Sequence, residues 1–266
     1  MTTTCILITK LDADAAQALA CLLGSRALAL DVEGIDLGRF GKLSLVQLAT
    51  SARTFVFDVL GRTPADPLVQ FLRAVLEDAN TVKVVHDCRM DSDALHHCLG
   101  IDLCNVHDTA CWHAALTGAH EVGLQALHQH HGLPVDHALR TNVYAQNHAF
   151  WGARPLTDAM LERAANDVAQ LLCVYDAQRA AACTEQAVTA CAQSARVVAW
   201  ARAAQACWVV VRRPREFVGR SGGTVKALRA RTGTAMYHRG DRAQNNWVVY
   251  YDTETQLAAV RAAAAR

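Results

Sequence analysis

Apolar and polar residues recur along the chain with two periods, and those periods place most of the regular structure. Residues 26–34, RALALDVEG, are an apolar run ending in acids and predict a buried strand. LSLVQLA (43–49) and TFVFDV (53–58) predict two more, with the glycine-bearing turn DLGRFGK ahead of the first. Short turns between three such strands predict an antiparallel meander. Helical spacing follows in PLVQFLRAVLEDA, then a short apolar strand, VKVVH (82–86). A helix is predicted from about Arg89 to Leu99, striped by Met90, Ala94, Leu95 and Cys98. Further helical patterns cover roughly 109–117, 121–132, 157–180 and 184–206.

Beyond Cys207 the pattern changes. CWVVVRRP predicts a strand, EFVGRSGG a short helix running into a Gly-rich loop, and TVKALRART a second helix. TAMYHRG and NNWVVYYD predict two strands, and TETQLAAVRAAAA a terminal helix. The chain therefore divides into an α/β domain over 1–183, an Ala-rich helical connector over 184–206 and a small α/β domain over 207–266. A meander, a crossover helix and a further strand predict ribonuclease-H-like order for the first domain.

Composition narrows the class. The 266 residues are 52% hydrophobic and 19% charged, as in a folded protein rather than a disordered tail. No apolar run reaches the ~20 residues of a membrane span. The first residues lack a basic region and carry Asp12 and Asp14, so no leader is expected. None of the ten cysteines forms a Cys-x-x-Cys pair, and the clustered His128, His130 and His131 lack the partners of a zinc site. Reduced thiols in an intracellular, cytoplasmic protein are the expectation, with nucleus and mitochondrion left open. The net charge of +1 conceals an asymmetry: 207–266 hold 11 Lys and Arg against 4 Asp and Glu, and the preceding residues 15 against 21. A basic block beside an acidic one points to a polyanionic partner.

Four acids carry the candidate chemistry. Asp31 and Glu33 stand two apart on a strand, so both project from one face while Leu28, Leu30 and Val32 take the other. Like charges there call for a counter-ion, and hard Mg²⁺ or Mn²⁺ prefers oxygen ligands. Asp91 falls one turn into the helix after strand 82–86. Asp167 adjoins a stripe of Leu161, Ala165, Val168 and Leu172.

DVEGIDLGRFGKLSLVQLAT, KVVHDCRMDSDALHHCLGIDLCNVHDT and WGARPLTDAMLERAANDVAQLL, in that order, resemble the three motifs of the DEDD 3′–5′ exonucleases of the RNase D branch. The wording is similar to the Egalitarian-type subgroup. The resemblance implies that Asp31 and Glu33, Asp91 and Asp167 are catalytic acids binding two divalent ions, with release of nucleoside monophosphates. One position departs. RNase D-like enzymes carry Tyr four residues before the final Asp, where this chain has Arg163, which cannot act as a base. Glu162 is the candidate to orient the water in its place, and Arg163 a candidate phosphate contact.

The order of 207–266 resembles a type I KH domain, with Gly219-Arg220-Ser221-Gly222 as its GXXG loop. That resemblance implies capture of single-stranded RNA by Gly219, Arg220, Ser221, Gly222 and Lys226. The aromatics Tyr237, Trp247, Tyr250 and Tyr251 are read as sheet packing. The expected protein is a metal-dependent 3′–5′ exoribonuclease with a KH domain. The alternative is a pseudo-exonuclease acting as an RNA-binding adaptor. Dimerisation and protein partners stay open.

Overall fold

The computed structural model describes residues 4–119, 122–135, 147, 149–219, 222–239 and 245–265. The chain divides into two compact units, Met1–Arg202 and Ala203–Arg266.

The first unit is built on a six-stranded mixed sheet. In chain order its strands are β1 (Thr4–Ile8), β2 (Ala27–Ile35), β3 (Lys42–Ala49), β4 (Arg53–Asp58), β5 (Val82–Val85) and β6 (Val106–Asp108), arranged β1-β4-β3-β2-β5-β6. The expected meander is present: β2 runs antiparallel to β3, and β3 to β4. The remaining pairings, β1 with β4, β2 with β5 and β5 with β6, are parallel. β2 lies near the middle of the sheet, where neighbours on both sides fix its register. Gly34 follows a bulge after Glu33, and a Cβ there would come within 2.4 Å of the Lys42 carbonyl oxygen, so the close β2–β3 turn requires glycine.

Helices α1 (Ala13–Leu23), α2 (Pro67–Leu76) and α3 (Arg89–Leu99) contribute Leu22, Leu72 and Leu95 to one core, against Leu28, Leu30 and Val32 of β2. α4 (Thr109–Thr117) and α5 (Leu124–His130) follow β6. The pattern over 157–180 predicts one helix, whereas the chain makes two, α6 (Asp158–Ala169) and α7 (Leu171–Ala181), meeting at Gln170. Their buried stripe includes Met160, Ala164, Val168 and Leu171; Val168 is as predicted, and the other three each lie one residue before the predicted Leu161, Ala165 and Leu172. Ala29, Val168 and Leu171 share a second core, so the helix pair covers the β2 face opposite Leu28 and Leu30.

α8 (Thr184–Ala203) differs from the expected connector, since Val198 enters the main core and Ser194 and Ala201 bond residues of the first unit. Its buried positions, Ala190, Ser194, Val198 and Ala201, keep a three-to-four residue spacing.

The second unit runs β7 (Gln205–Val210), α9 (Pro214–Val218), α10 (Gly223–Thr232), β8 (Ala235–Arg239), β9 (Asn246–Tyr251) and α11 (Glu254–Ala264). Its sheet is antiparallel in the order β7-β9-β8. Val209, Trp247, Val249 and Tyr251 pack with Phe217, Leu228 and Leu257 from the three helices. Tyr250 is buried as well and Tyr237 half-buried, in keeping with a packing role for these aromatics.

Candidate active site

Alternation along β2 turns Ala29, Asp31 and Glu33 toward the α6–α7 side of the sheet. Asp167 comes from α6, three residues after buried Ala164, and so projects back onto the same face. Carboxylate oxygens of Asp31, Glu33 and Asp167 lie within 4.8 Å of one another, and all three residues are half-buried. Asp91 stands at the first turn of α3 and is 6% exposed. Its Oδ1 accepts the N–H of Val32 at 3.2 Å, the residue between Asp31 and Glu33. Three of the four predicted acids thus form one group, and the fourth is tied to the strand that carries two of them.

Arg163 lies one turn before Asp167 on α6, and its positive charge partly offsets the rise that burial imposes on the Asp167 carboxyl. Glu162 is exposed on another side of that helix, and the structure does not bring it into the acid group. The sequence expectation that Glu162 orients the attacking water therefore finds no geometric support.

The electrostatics set this group apart. Burial, followed by the charges of Asp91, Glu33 and Asp167, pushes the Asp31 carboxyl well above the usual carboxylate range. Burial pushes Asp91 up to about 8, against the lowering effect of the Val32 hydrogen bond. Asp167 is pushed up to about 6, again chiefly by burial. Such a group either retains protons near neutrality or exchanges them for a cation. Oxygen-only donors close together suit a hard divalent ion.

Several supporting residues carry no sequence signal. Asp58 holds Arg154 by two bonds of 2.7 Å, and Arg154 also donates to Ser44 Oγ at 2.9 Å. That clamp anchors the segment leading into α6. Buried Asp93 accepts from the Arg39 backbone at 2.6 Å and from its Nε at 2.8 Å, while Arg39 Nη2 donates to the Ala201 carbonyl. It fixes the turn after β2 to α3 and α8. An acid and an arginine far apart in sequence give no local pattern to read.

In the second unit, Gly219 and Gly222 both have positive φ, 72° and 77°. A Cβ on Gly219 would fall 2.1 Å from Thr224 Oγ1, so glycine is required where α9 ends. Arg220 and Ser221 lie outside the described residues. Lys226 is exposed on α10, one turn past the loop.

Comparison with known proteins agrees with this geometry. Residues 6–179 match the family DNA_pol_A_exo1, described as a 3′–5′ exonuclease. The chain is 43% identical over 84 residues to piRNA biogenesis protein EXD1 of Mus musculus, covering 31% of this chain and 14% of that protein. It is 30% identical over 183 residues to exosome complex component 10 of Mus musculus, covering 66% of this chain and 19% of that protein. This chain therefore spans less than a fifth of either curated relative. The structure of Trypanosoma brucei RNase D in complex with RNA U12 superposes with a TM-score of 0.62 at 27% identity, covering 74% of this chain and 70% of that one.

Proposed function

Because the chain belongs to the 3′–5′ exonuclease family, we propose that it is a metal-dependent 3′–5′ exoribonuclease whose second unit is a KH-type module for single-stranded RNA. The observation that carries the reading is the group of three carboxylates within 4.8 Å, on a family fold that is divalent-metal dependent. Asp31, Glu33 and Asp167, joined by Asp91, would hold two Mg²⁺ or Mn²⁺ ions, which supply an acidified water and charge neutralisation at the phosphodiester.

The chain's own residues do the rest. The acids release their protons on loading, most of all Asp31 and Asp91. Val32 keeps the Asp91 carboxylate on the strand. Arg163 attracts a substrate phosphate but takes no proton, so this chain lacks the hydroxyl that its RNase D-like relatives place there. RNA is the proposed substrate because the relatives include RNase D solved with RNA, and because the second unit pairs a net charge of +7 over 207–266 with a Gly-x-x-Gly sequence between two helices. Its β-α-α-β-β-α order and antiparallel sheet are those expected of a type I KH domain. Glycines let phosphates approach the backbone, and the following helix N-terminus favours negative charge.

The test is a single-stranded RNA labelled at its 3′ or 5′ end, incubated with Mg²⁺, Mn²⁺ or EDTA. Early release of labelled mononucleotide from the 3′ end, abolished by EDTA, is the expected result. Intact RNA under every condition, with binding retained, would replace the enzyme by its rival, an RNA-binding adaptor. Arg163 is the observation favouring that rival. If the missing hydroxyl alone limits turnover, Arg163→Tyr raises kcat by about 100-fold or more at unchanged RNA affinity. A wild type and an Arg163→Tyr protein that are equally inert favour the adaptor.

A further inference from the structure

The geometry points to Asp108 as the residue that positions Asp91, an inference resting on the nuclease reading above. Asp108 ends β6 and caps α4, where its Oδ1 accepts the N–H groups of Ala110 at 2.9 Å and Cys111 at 3.4 Å. A capping aspartate ordinarily spends its carboxylate on its own helix. This one also reaches a second helix. Its Oδ1 accepts the Asp87 N–H at 3.1 Å, and its Oδ2 accepts the Cys88 N–H at 2.9 Å.

Cys88 is the N-cap of α3 and makes no side-chain cap bond. The start of α3 is therefore held by a carboxylate from another strand. Asp87 needs that hold, because its φ of 54° is left-handed and costly for a residue with a Cβ. Asp91 follows Cys88 by three residues, so whatever fixes the turn fixes where the Asp91 carboxylate points. From there the Val32 bond carries the placement to Asp31 and Glu33. Asp108 is itself fixed from behind: its N–H donates to Ser194 Oγ at 3.2 Å, and that hydroxyl donates to the Ala190 carbonyl at 2.8 Å. Asp108 and Ser194 are both buried, at 1% and 0% exposure, so water does not substitute for these bonds.

A cap that served only α4 would matter for stability alone. Asp66 provides that comparison: it caps α2, accepts the Leu68 N–H at 2.9 Å and pairs with Arg62, all within four residues of itself. In Asp108→Asn an amide NH₂ replaces one oxygen and meets donors instead of accepting from them. The experiment uses the full chain, with two readouts independent of turnover: Mn²⁺ affinity by calorimetry, and amide hydrogen exchange at Val32. Asp108→Asn is expected to weaken Mn²⁺ binding about tenfold and to speed Val32 exchange to a similar degree. Asp66→Asn, matched as a lost cap, leaves both unchanged. Ser194→Ala, which keeps the carboxylate, gives the same two changes at about threefold and decides the matter if Asp108→Asn does not fold.

Val32 exchange and Mn²⁺ affinity that stay at wild-type values in a folded Asp108→Asn protein, or in Ser194→Ala in its place, overturn the inference. Wild-type Mn²⁺ binding that is indifferent to Asp31→Asn overturns the nuclease reading instead. Val32 exchange alone then upholds or rejects the link from Asp108 to the acid strand.

Discussion

The two units of this chain handle charge in opposite ways. In the first, acids are drawn in from the surface until burial, joined at Asp31 by the charges of Asp91, Glu33 and Asp167, pushes their carboxyl groups out of the ordinary range. In the second, Lys226, Arg213 and Arg231 stay in solvent around a small core. Burying like charges costs stability and is useful only where something outside the chain neutralises them. Exposed cations cost little and act at longer range, as salt-screened attraction for a polyanion. Under the proposed function, the first unit would supply the chemistry and the second the affinity.

The largest test of this contrast removes one half-buried acid. Asp31→Asn should lower nucleotide release by about 100-fold or more, because a metal ligand is lost. The same substitution should raise the melting temperature of the metal-free protein, since it relieves repulsion from Asp91, Glu33 and Asp167. Activity and stability moving in opposite directions would mark a site built for a ligand. A joint fall would mark Asp31 as structural.

A smaller effect is expected in the basic unit. Replacing both Arg220 and Ser221 by Asp should weaken RNA binding by about tenfold and flatten its salt dependence, as fewer counter-ions are released. Thermal stability should hardly change. Equal affinity in parent and variant would remove the second unit from RNA capture and leave its charge without a role.

The subtlest test is pH dependence without metal. Asp91, pushed up to about 8, keeps a proton in the folded chain that the unfolded chain has already released above its ordinary value of 3.8. Folding thus takes up protons in that interval, and stability falls as pH rises toward 8. Histidines oppose this at lower pH: His107, pushed down to about 4 by burial, adds stability as pH rises to its ordinary 6.5. Between about pH 6.5 and 8 the acids prevail. Melting in EDTA should therefore come a few degrees lower at pH 8 than at pH 6.5, and Asp91→Asn should flatten that decline.

How much of this was legible in the sequence depends on the range of the interaction. The Asp31–Glu33 face followed from a period of two along one strand, and β2 to β5 with α2 and α3 followed from apolar spacing. β1 and α1 carried signals that the pattern reading left unassigned: TCILI is a short apolar run, and Asp12 caps α1 by accepting from Asp14 and Ala15. β6 has three residues, two of them polar, and it is a strand because Lys83, Val84 and Val85 pair with it. The break at Gln170 has no glycine or proline to announce it. Asp108, Asp93 and Arg154 looked like ordinary charged residues. The partners that matter to the site, Asp87 and Cys88 for Asp108, Arg39 for Asp93 and Asp58 for Arg154, lie 20 or more positions away, where no periodicity reaches.

The place of α8 has a practical meaning for dissecting the chain. The family match ends at residue 179, yet the folding unit continues to Arg202. A fragment cut at 183 would lose Ser194 from behind Asp108, Ala201 from Arg39 and Val198 from the core. Its inactivity would then be mistaken for proof that the nuclease unit depends on the basic one. A cut after Arg202 retains all three contacts, and so separates the two units at a seam that the fold itself provides.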